Sequence, residues 1–217
     1  MNNNEQNLIK ILSFTHEIYK VKNILRFKGM PGWENENIDR WDSVAEHSYR
    51  MAITGVMLAP YLETKVSLEK VLKMILIHDI VEIVALDYSP VAKHNGGGGH
   101  AFNEDAFKEK YNREMSAAET IFKELPEDLH KEFLGLFTEY INTKADKNSR
   151  TPEGCFAYAL DKLEATIQII DWKKESKNLE LDKFEQMTKY MHTWTDYDSS
   201  LKEFANLVEA EAKKLLK

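Results

Sequence analysis

Apolar residues recur along most of the chain at steps of three and four positions, the period of a helix with one buried face. No segment shows the sustained alternation and β-branched enrichment that strands require. The pattern therefore predicts an all-α fold of about seven to nine helices. The predicted helices cover residues 5–28, 43–62, 66–84, 103–125, 127–142, 152–172, 179–191 and 199–216.

Local signals mark the beginnings of several of these helices. The sequence Ser43-Val44-Ala45-Glu46 has the capping-box pattern, in which the serine hydroxyl accepts the glutamate amide and the carboxylate reaches back. Ser67 is the expected N-cap of the following helix. Thr151-Pro152 combines an N-cap residue with a proline at the first helical position.

One apolar stretch, residues 75–83, contains three ionisable side chains: His78, Asp79 and Glu82. A helix that carries this stretch is expected to be buried nearly all round. Burying ionisable groups without partners is costly, so a compensating partner is expected. A metal ion is the simplest one, because it binds neutral imidazole and ionised carboxylate together.

Size and composition favour one domain over residues 1–217, since 217 residues that are 43% hydrophobic can form one sizeable core. We place the metal-binding core at about 8–175 and further helices in 176–217. The net charge of -7 argues against a nucleic-acid polymer as partner.

The cysteine content and the hydropathy bear on location. The single cysteine, Cys155, excludes an intrachain disulfide and suits a reducing cytoplasm. The first six residues lack the basic and apolar regions of a signal peptide. No apolar run reaches the length of about 18 residues that a membrane span needs, so a cytoplasmic protein without a membrane partner is expected.

Four polar residues lie within otherwise apolar helical stretches: His47, His78, Asp79 and Asp161. Two imidazoles and two carboxylates suit one hard or borderline divalent ion, such as Co, Mn, Mg, Fe, Ni or Zn, with positions left for water. Coordination lowers the pKa of such a water toward neutrality and makes it a nucleophile.

Two further carboxylates are candidates for proton transfer. Glu82 follows His78 by four residues, on the same face of the predicted helix, where it can orient or deprotonate a water or protonate a leaving oxygen. Asp87 lies just past the predicted helix end and is either a second catalytic carboxylate or a turn residue. The glycines at 96–99 lack the ending of a phosphate-binding loop and form either a lid or a tolerant surface loop.

The order His47, then His78-Asp79, then Asp161 resembles the H…HD…D signature of the HD-domain metal-dependent phosphohydrolases. The flanking residues also resemble one branch of that family, the 5'-deoxynucleotidases typified by the bacterial YfbR-like enzymes. The similarity covers roughly residues 8–175. Its motifs lie at Arg40–Ser48, Ile77–Pro90 and Leu160–Glu164.

This resemblance implies an HD-domain helical bundle that holds one divalent ion through the four residues named above. It implies hydrolysis of deoxyribonucleoside 5'-monophosphates, small nucleotides, to the deoxynucleoside and phosphate. It also implies that Glu82 and Asp87 are the catalytic carboxylates and that the protein is a homodimer.

The chain departs from the family where the substrate is bound. Members of the family usually have an arginine shortly before a tryptophan, and that arginine helps to bind the sugar and phosphate. This chain instead has Lys28-Gly29-Met30-Pro31-Gly32-Trp33. Arg26 or Lys28 is the candidate replacement for that arginine. Trp33 and Arg40 are the other candidate substrate-binding residues, although a surface salt bridge is an alternative role for Arg40.

Two other functions remain open from the sequence. One is an HD hydrolase that acts on another nucleotide phosphate ester. The other is a catalytically silent HD protein that binds a nucleotide as a sensor, although Glu82 and Asp87 argue against it.

Leu86 is a further departure from the family, because a glycine is usual at the position before the aspartate.

Overall fold

A computed structural model describes residues 2–28, 30, 33, 36–86, 99–175 and 182–215. These residues contain no β-strand, only an isolated antiparallel bridge between Leu25 and Ser43. The predicted all-α fold is therefore confirmed. The helices are α1 (Asn3–Ile18), α2 (Val44–Leu58), α3 (Leu68–Ile77), α4 (Glu82–Ala85), α5 (Glu104–Phe122), α6 (Glu127–Ala145), α7 (Pro152–Glu175), α8 (Asp182–Thr195) and α9 (Ser199–Leu215).

The predicted caps are present. The Ser43 hydroxyl accepts the amide of Glu46, and the Glu46 carboxylate accepts the Ser43 amide at 3.0 Å. The hydroxyl of Ser67 accepts the amide of Lys70, so it caps α3. Because the box sets the first turn of α2, His47 lies at a defined position just inside the helix.

The first predicted helix ends ten residues early. α1 ends at Ile18 and a 3₁₀ turn follows, after which the backbone is extended. The Arg26 amide donates to the Asp42 carbonyl at 2.8 Å, and the Val44 amide donates to the Ile24 carbonyl at 3.0 Å. These bonds to a distant segment replace helical ones, so tertiary pairing overrides the apolar period.

The predicted helix over 66–84 is also divided. Past Ile77, the amides of Ile80 and Glu82 donate only three residues back, at 3.1 Å each, and α4 forms beyond this turn. His78 and Asp79 therefore lie at the C-terminal end of α3 and not in the middle of a helix. Residues 87–98, which include Asp87 and most of the glycine run, lie outside the described residues.

Helix α7 is the central element of the fold. It packs against α2, α3, α6, α8 and α9. Phe156, Leu160 and Leu163 on α7 are fully buried, and the same core includes Met191 on α8 and Leu201 on α9. The packing of α7 against these helices places Asp161 in the middle of the protein.

A second apolar cluster joins α1, α5 and α6, where Phe14, Phe122 and Phe137 are buried. Within the described ranges, none of the helices combines the length and apolarity that a bilayer span requires.

Two glycines in helices provide a matched test of this packing. A Cβ atom on Gly154 of α7 would lie 2.5 Å from Thr143 Oγ1, whereas one on Gly135 of α6 would meet nothing within 4 Å. We expect Gly154→Ala to lower the free energy of unfolding by about 1–3 kcal/mol through overpacking. Gly135→Ala should raise it by about 0.5–1 kcal/mol, because glycine is unfavourable in a helix interior. Urea denaturation of both variants measures the contrast, and equal effects would contradict the described contact between α6 and α7.

Candidate metal centre

The side chains of His47, His78, Asp79 and Asp161 converge where α2, α3 and α7 meet. One donor atom from each of His47, His78 and Asp161 lies within 4.8 Å of the others. The Asp79 Oδ2 atom is 3.1 Å from His78 Nε2 and 3.7 Å from His47 Nε2. His47 Nε2 is 3.5 Å from Asp161 Oδ1. The structure thus brings together all four residues of the predicted ligand set.

Both imidazole rings are oriented through Nδ1. The Nδ1 atom of His78 donates to the carbonyl of Ile75 at 2.7 Å, and the Nδ1 atom of His47 contacts the Glu164 carboxylate. With Nδ1 as the donor, Nε2 of each ring is the position that can bind a metal ion, once any proton on it has been released.

The surroundings of the two Nε2 atoms indicate that a cation binds between them and the carboxylates. Both are buried and have no hydrogen-bond partner in the described part of the protein, although both face carboxylates. A buried polar atom that is left without a partner is costly. A divalent ion would satisfy both nitrogens and neutralise the carboxylates, so the residues present fit a metal site with mixed nitrogen and oxygen ligands.

The charges around the site keep its carboxylates ionised. Burial acts to raise the pKa of Asp79, but His78 and Arg26 lower it well below its usual range. Burial likewise opposes ionisation of Asp161, whose pKa is lowered by Lys162 and His47. Burial and Arg26 act to lower the pKa of His47, yet Glu164 and Asp161 outweigh them and raise it to about 9. The carboxylates in the site thus favour positive charge.

A cavity of about 40 Å³ opens beside these residues and has a strongly charged wall. Glu82 is 3% exposed and lies in this wall, at the beginning of α4. Carboxylates and cations therefore meet in one small volume. The lining residues are Arg26, Phe27, Asp79, Glu82, His100, Lys110, Asp161, Lys162, Ala165 and Met187.

The four predicted substrate-binding residues have different positions. Arg26 is buried and lines the cavity, and its Nη1 atom is 3.1 Å from Asp79 Oδ2. Trp33 is buried in the aromatic core, and Lys28 is exposed. Arg40 is exposed, pairs with Glu46 and lines a separate cavity of about 280 Å³. Of the four, Arg26 is the one that the described structure brings to the metal centre.

Several polar residues at the site were not predicted from the sequence. Lys110 on α5 pairs with Glu114 and lines the cavity, and Lys162 pairs with Asp161. The Tyr140 hydroxyl donates to Asp161 Oδ2 at 2.8 Å. The adjacency of Lys162 to Asp161 was a signal in the sequence, but nothing around Lys110 distinguishes it from the other charged residues of α5.

The fold and this site define the class of protein. The chain belongs to the HD domain family, whose model matches residues 20–199. The relationship that the motifs indicated is thereby confirmed.

Individual relatives agree with this assignment. The 5'-deoxynucleotidase HDDC2 of Homo sapiens is 27% identical over 163 residues, which cover 75% of this chain and 68% of that protein. The 5'-deoxynucleotidase hdd1 of Schizosaccharomyces pombe is 28% identical over 157 residues, or 69% of each chain. A crystal structure of a predicted metal-dependent phosphohydrolase from Magnetospirillum magnetotacticum MS-1 is 26% identical. It superposes with a TM-score of 0.71, over 99% of this chain and 96% of its own.

We expect removal of divalent ions to lower the melting temperature, because an ion that binds only the folded protein stabilises it. Free ion at 100 times the dissociation constant contributes about 2.7 kcal/mol. For a chain of this length that corresponds to about 5–10 °C. Scanning calorimetry with and without a chelator measures the shift.

His78→Ala should abolish the shift, because it removes one of the imidazole ligands. His16→Ala, which changes an exposed histidine on α1, is the matched control and should retain it. An identical chelator response in both variants would exclude His78 from the metal site.

Proposed function

We propose that this protein is a metal-dependent 5'-nucleotidase that hydrolyses deoxyribonucleoside 5'-monophosphates to the deoxynucleoside and phosphate. The observation that carries the proposal is the pair of buried Nε2 atoms facing Asp79 and Asp161 beside a cavity lined by cations. The names of the relatives, which are 5'-deoxynucleotidases, support the substrate class.

In this proposal His47, His78, Asp79 and Asp161 hold one divalent ion. The ion supplies Lewis acidity at the phosphoryl group when bound. This mixed set of ligands can bind Co, Mn, Mg, Fe, Ni or Zn. Titration of the purified protein with each ion would identify the one that binds most tightly.

Glu82 is the proposed group for proton transfer. It is buried in the cavity wall, and a carboxylate there can accept the proton of the attacking water or return one to the leaving 5' oxygen. The water adds to phosphorus, the bond to the 5' oxygen breaks, and the deoxynucleoside leaves with a proton. We propose Asp87 as the second catalytic carboxylate, from its position in the sequence alone.

Three cations are proposed to hold the phosphate. Arg26, Lys110 and Lys162 line the same cavity as Asp79 and Asp161. A phosphate dianion brings negative charge into a buried site, and fixed cations stabilise it there. Arg26 is thus the proposed replacement for the family arginine that is absent before Trp33. Lys28, Trp33 and Arg40 stay predicted substrate-binding residues.

A larger cavity of about 500 Å³ is the proposed site of the nucleoside. Its volume is in the range of small-molecule sites, and His100 lines both this cavity and the inner one. Phe102 and Phe107 offer apolar surface to a base or sugar. A nucleotide that spans the two cavities would place its phosphate at the metal centre.

Phosphate release from a panel of 2'-deoxy and ribo monophosphates tests the activity. We expect the protein to hydrolyse the deoxy substrates, and we expect chelation to abolish this activity.

Glu82→Gln should retain the ion but lose about 10²- to 10⁴-fold in kcat, because it removes proton transfer and not ligation. Loss of the ion in that variant would reassign Glu82 as a ligand, and turnover of another phosphate ester alone would redirect the substrate assignment. Ion binding without turnover of any phosphate ester would favour a nucleotide sensor.

We also propose a homodimer that acts on free nucleotides in the cytoplasm and not on a nucleic-acid polymer or a membrane. An apolar stripe on α1 supports the homodimer, since Leu8 and Leu12 are 57% and 59% exposed on one helical face.

Light scattering with size-exclusion chromatography should give twice the chain mass. Leu8→Glu combined with Leu12→Glu should give monomers. The control Leu207→Glu, at an equally exposed leucine on α9, should remain dimeric. A monomeric wild-type protein would contradict the homodimer.

A further inference from the structure

Glu164 lies behind the metal centre, on the opposite side of His47 from the carboxylates. It follows Asp161 by three residues on α7, and its side chain is 1% exposed. One of its oxygens, Oε2, contacts Nδ1 of His47. The other, Oε1, lies 2.7 Å from Nε and 2.6 Å from Nη2 of Arg50. A buried carboxylate thus joins an imidazole to a guanidinium.

Arg50 is itself held in one orientation. It follows His47 by three residues on α2, and its Nη1 atom donates to Asp171 Oδ2 at 2.9 Å. Its Nη2 atom also contacts the side-chain oxygen of Gln168. Glu164, Gln168 and Asp171 lie on one face of α7, so the guanidinium is fixed by three side chains of the same helix.

We infer that Glu164 is a positioning residue that holds the proton of His47 on Nδ1 and aims Nε2 at the metal ion, with Arg50 keeping Glu164 aligned. The inference rests on the proposed function, because it assumes that His47 is a ligand.

The physical reason is the tautomer of a fully buried ring. A neutral imidazole carries its proton on either nitrogen, and only the tautomer protonated at Nδ1 leaves a lone pair on Nε2. His78 has its tautomer fixed by the carbonyl of Ile75, which is part of the helix backbone. His47 relies on a side chain for the same purpose. A carboxylate partner also makes the imidazole a stronger ligand than a carbonyl does.

Arg50 fixes the direction of the Glu164 carboxylate. The two nitrogens that Arg50 presents to Oε1 restrict rotation of the carboxylate. The group that faces His47 is therefore held in one direction before any ion binds.

Calorimetric titration of the chelator-treated full-length protein with Mn²⁺ tests the inference directly. We expect Glu164→Gln to bind Mn²⁺ about 10- to 100-fold more weakly than the wild type, the usual effect of losing such a partner. Asp171→Asn is the matched control, because it weakens a half-exposed contact of Arg50 and leaves Glu164 in place. Its affinity should change by no more than about threefold, as expected for a partly exposed ion pair.

A second measurement distinguishes positioning from simple stabilisation of the contact between α2 and α7. Nitrogen-15 spectra of the Zn²⁺-loaded wild type should show His47 protonated at Nδ1. Glu164→Gln should show exchange broadening or a changed Nδ1 signal, while the His78 signals stay the same. A purely structural role would lower the melting temperature without changing either the affinity or the spectrum.

Wild-type Mn²⁺ affinity and an unchanged His47 spectrum in Glu164→Gln would overturn the inference. If that variant does not fold, Arg50→Lys decides, since lysine keeps the charge but not the paired contact with Oε1. A several-fold loss of affinity in Arg50→Lys would support the inference, and wild-type affinity would overturn it. Failure of the wild-type protein to bind any divalent ion would instead overturn the proposed function.

Discussion

The structure depends on balancing the charges of ionisable groups that are buried where three helices meet. His47, His78, Asp79 and Asp161 come from α2, the end of α3 and α7, and none of them is freely hydrated. Unpaired, such groups would cost more than the marginal stability of a domain permits. Their mutual proximity is tolerable because opposite charges are interleaved, and a divalent cation held by these four residues would complete the balance.

Each group at the centre is tied to a different part of the fold. Asp161 accepts the Tyr140 hydroxyl of α6 and pairs with Lys162, whereas Asp79 pairs with Arg26 from the segment before α2. His78 is held by its own helix backbone. The donor atoms are therefore oriented by the surrounding packing before an ion binds. Such preorganisation lowers the cost of ordering side chains around the ion and the transition state.

The features that were predictable from the sequence are those determined by residues close together along the chain. The capping box at Ser43 and the helical period of α7 are local, and both are present. The extended backbone at residues 24–26 was not predictable in the same way, because it is held by hydrogen bonds to residues 42–44. Lys110 reaches the site only through the packing of α5, and no local pattern reports that. Leu86 is an intermediate case: the departure from a usual glycine was visible, and the residue has a φ of 62°, where glycine is favoured.

The segment in which the helical prediction was wrong, residues 24–26, also brings the Arg26 guanidinium to the candidate site. Had α1 continued to residue 28, the backbone of Leu25 could not pair with Ser43. That pairing fixes the Arg26 amide to Asp42 and carries its guanidinium to within 3.1 Å of Asp79. In the proposed function, the extended segment supplies through Arg26 the cation that replaces the family arginine absent before Trp33. Local propensity was overridden at an element of the candidate site, and functional sites are where such conflicts are expected in natural proteins.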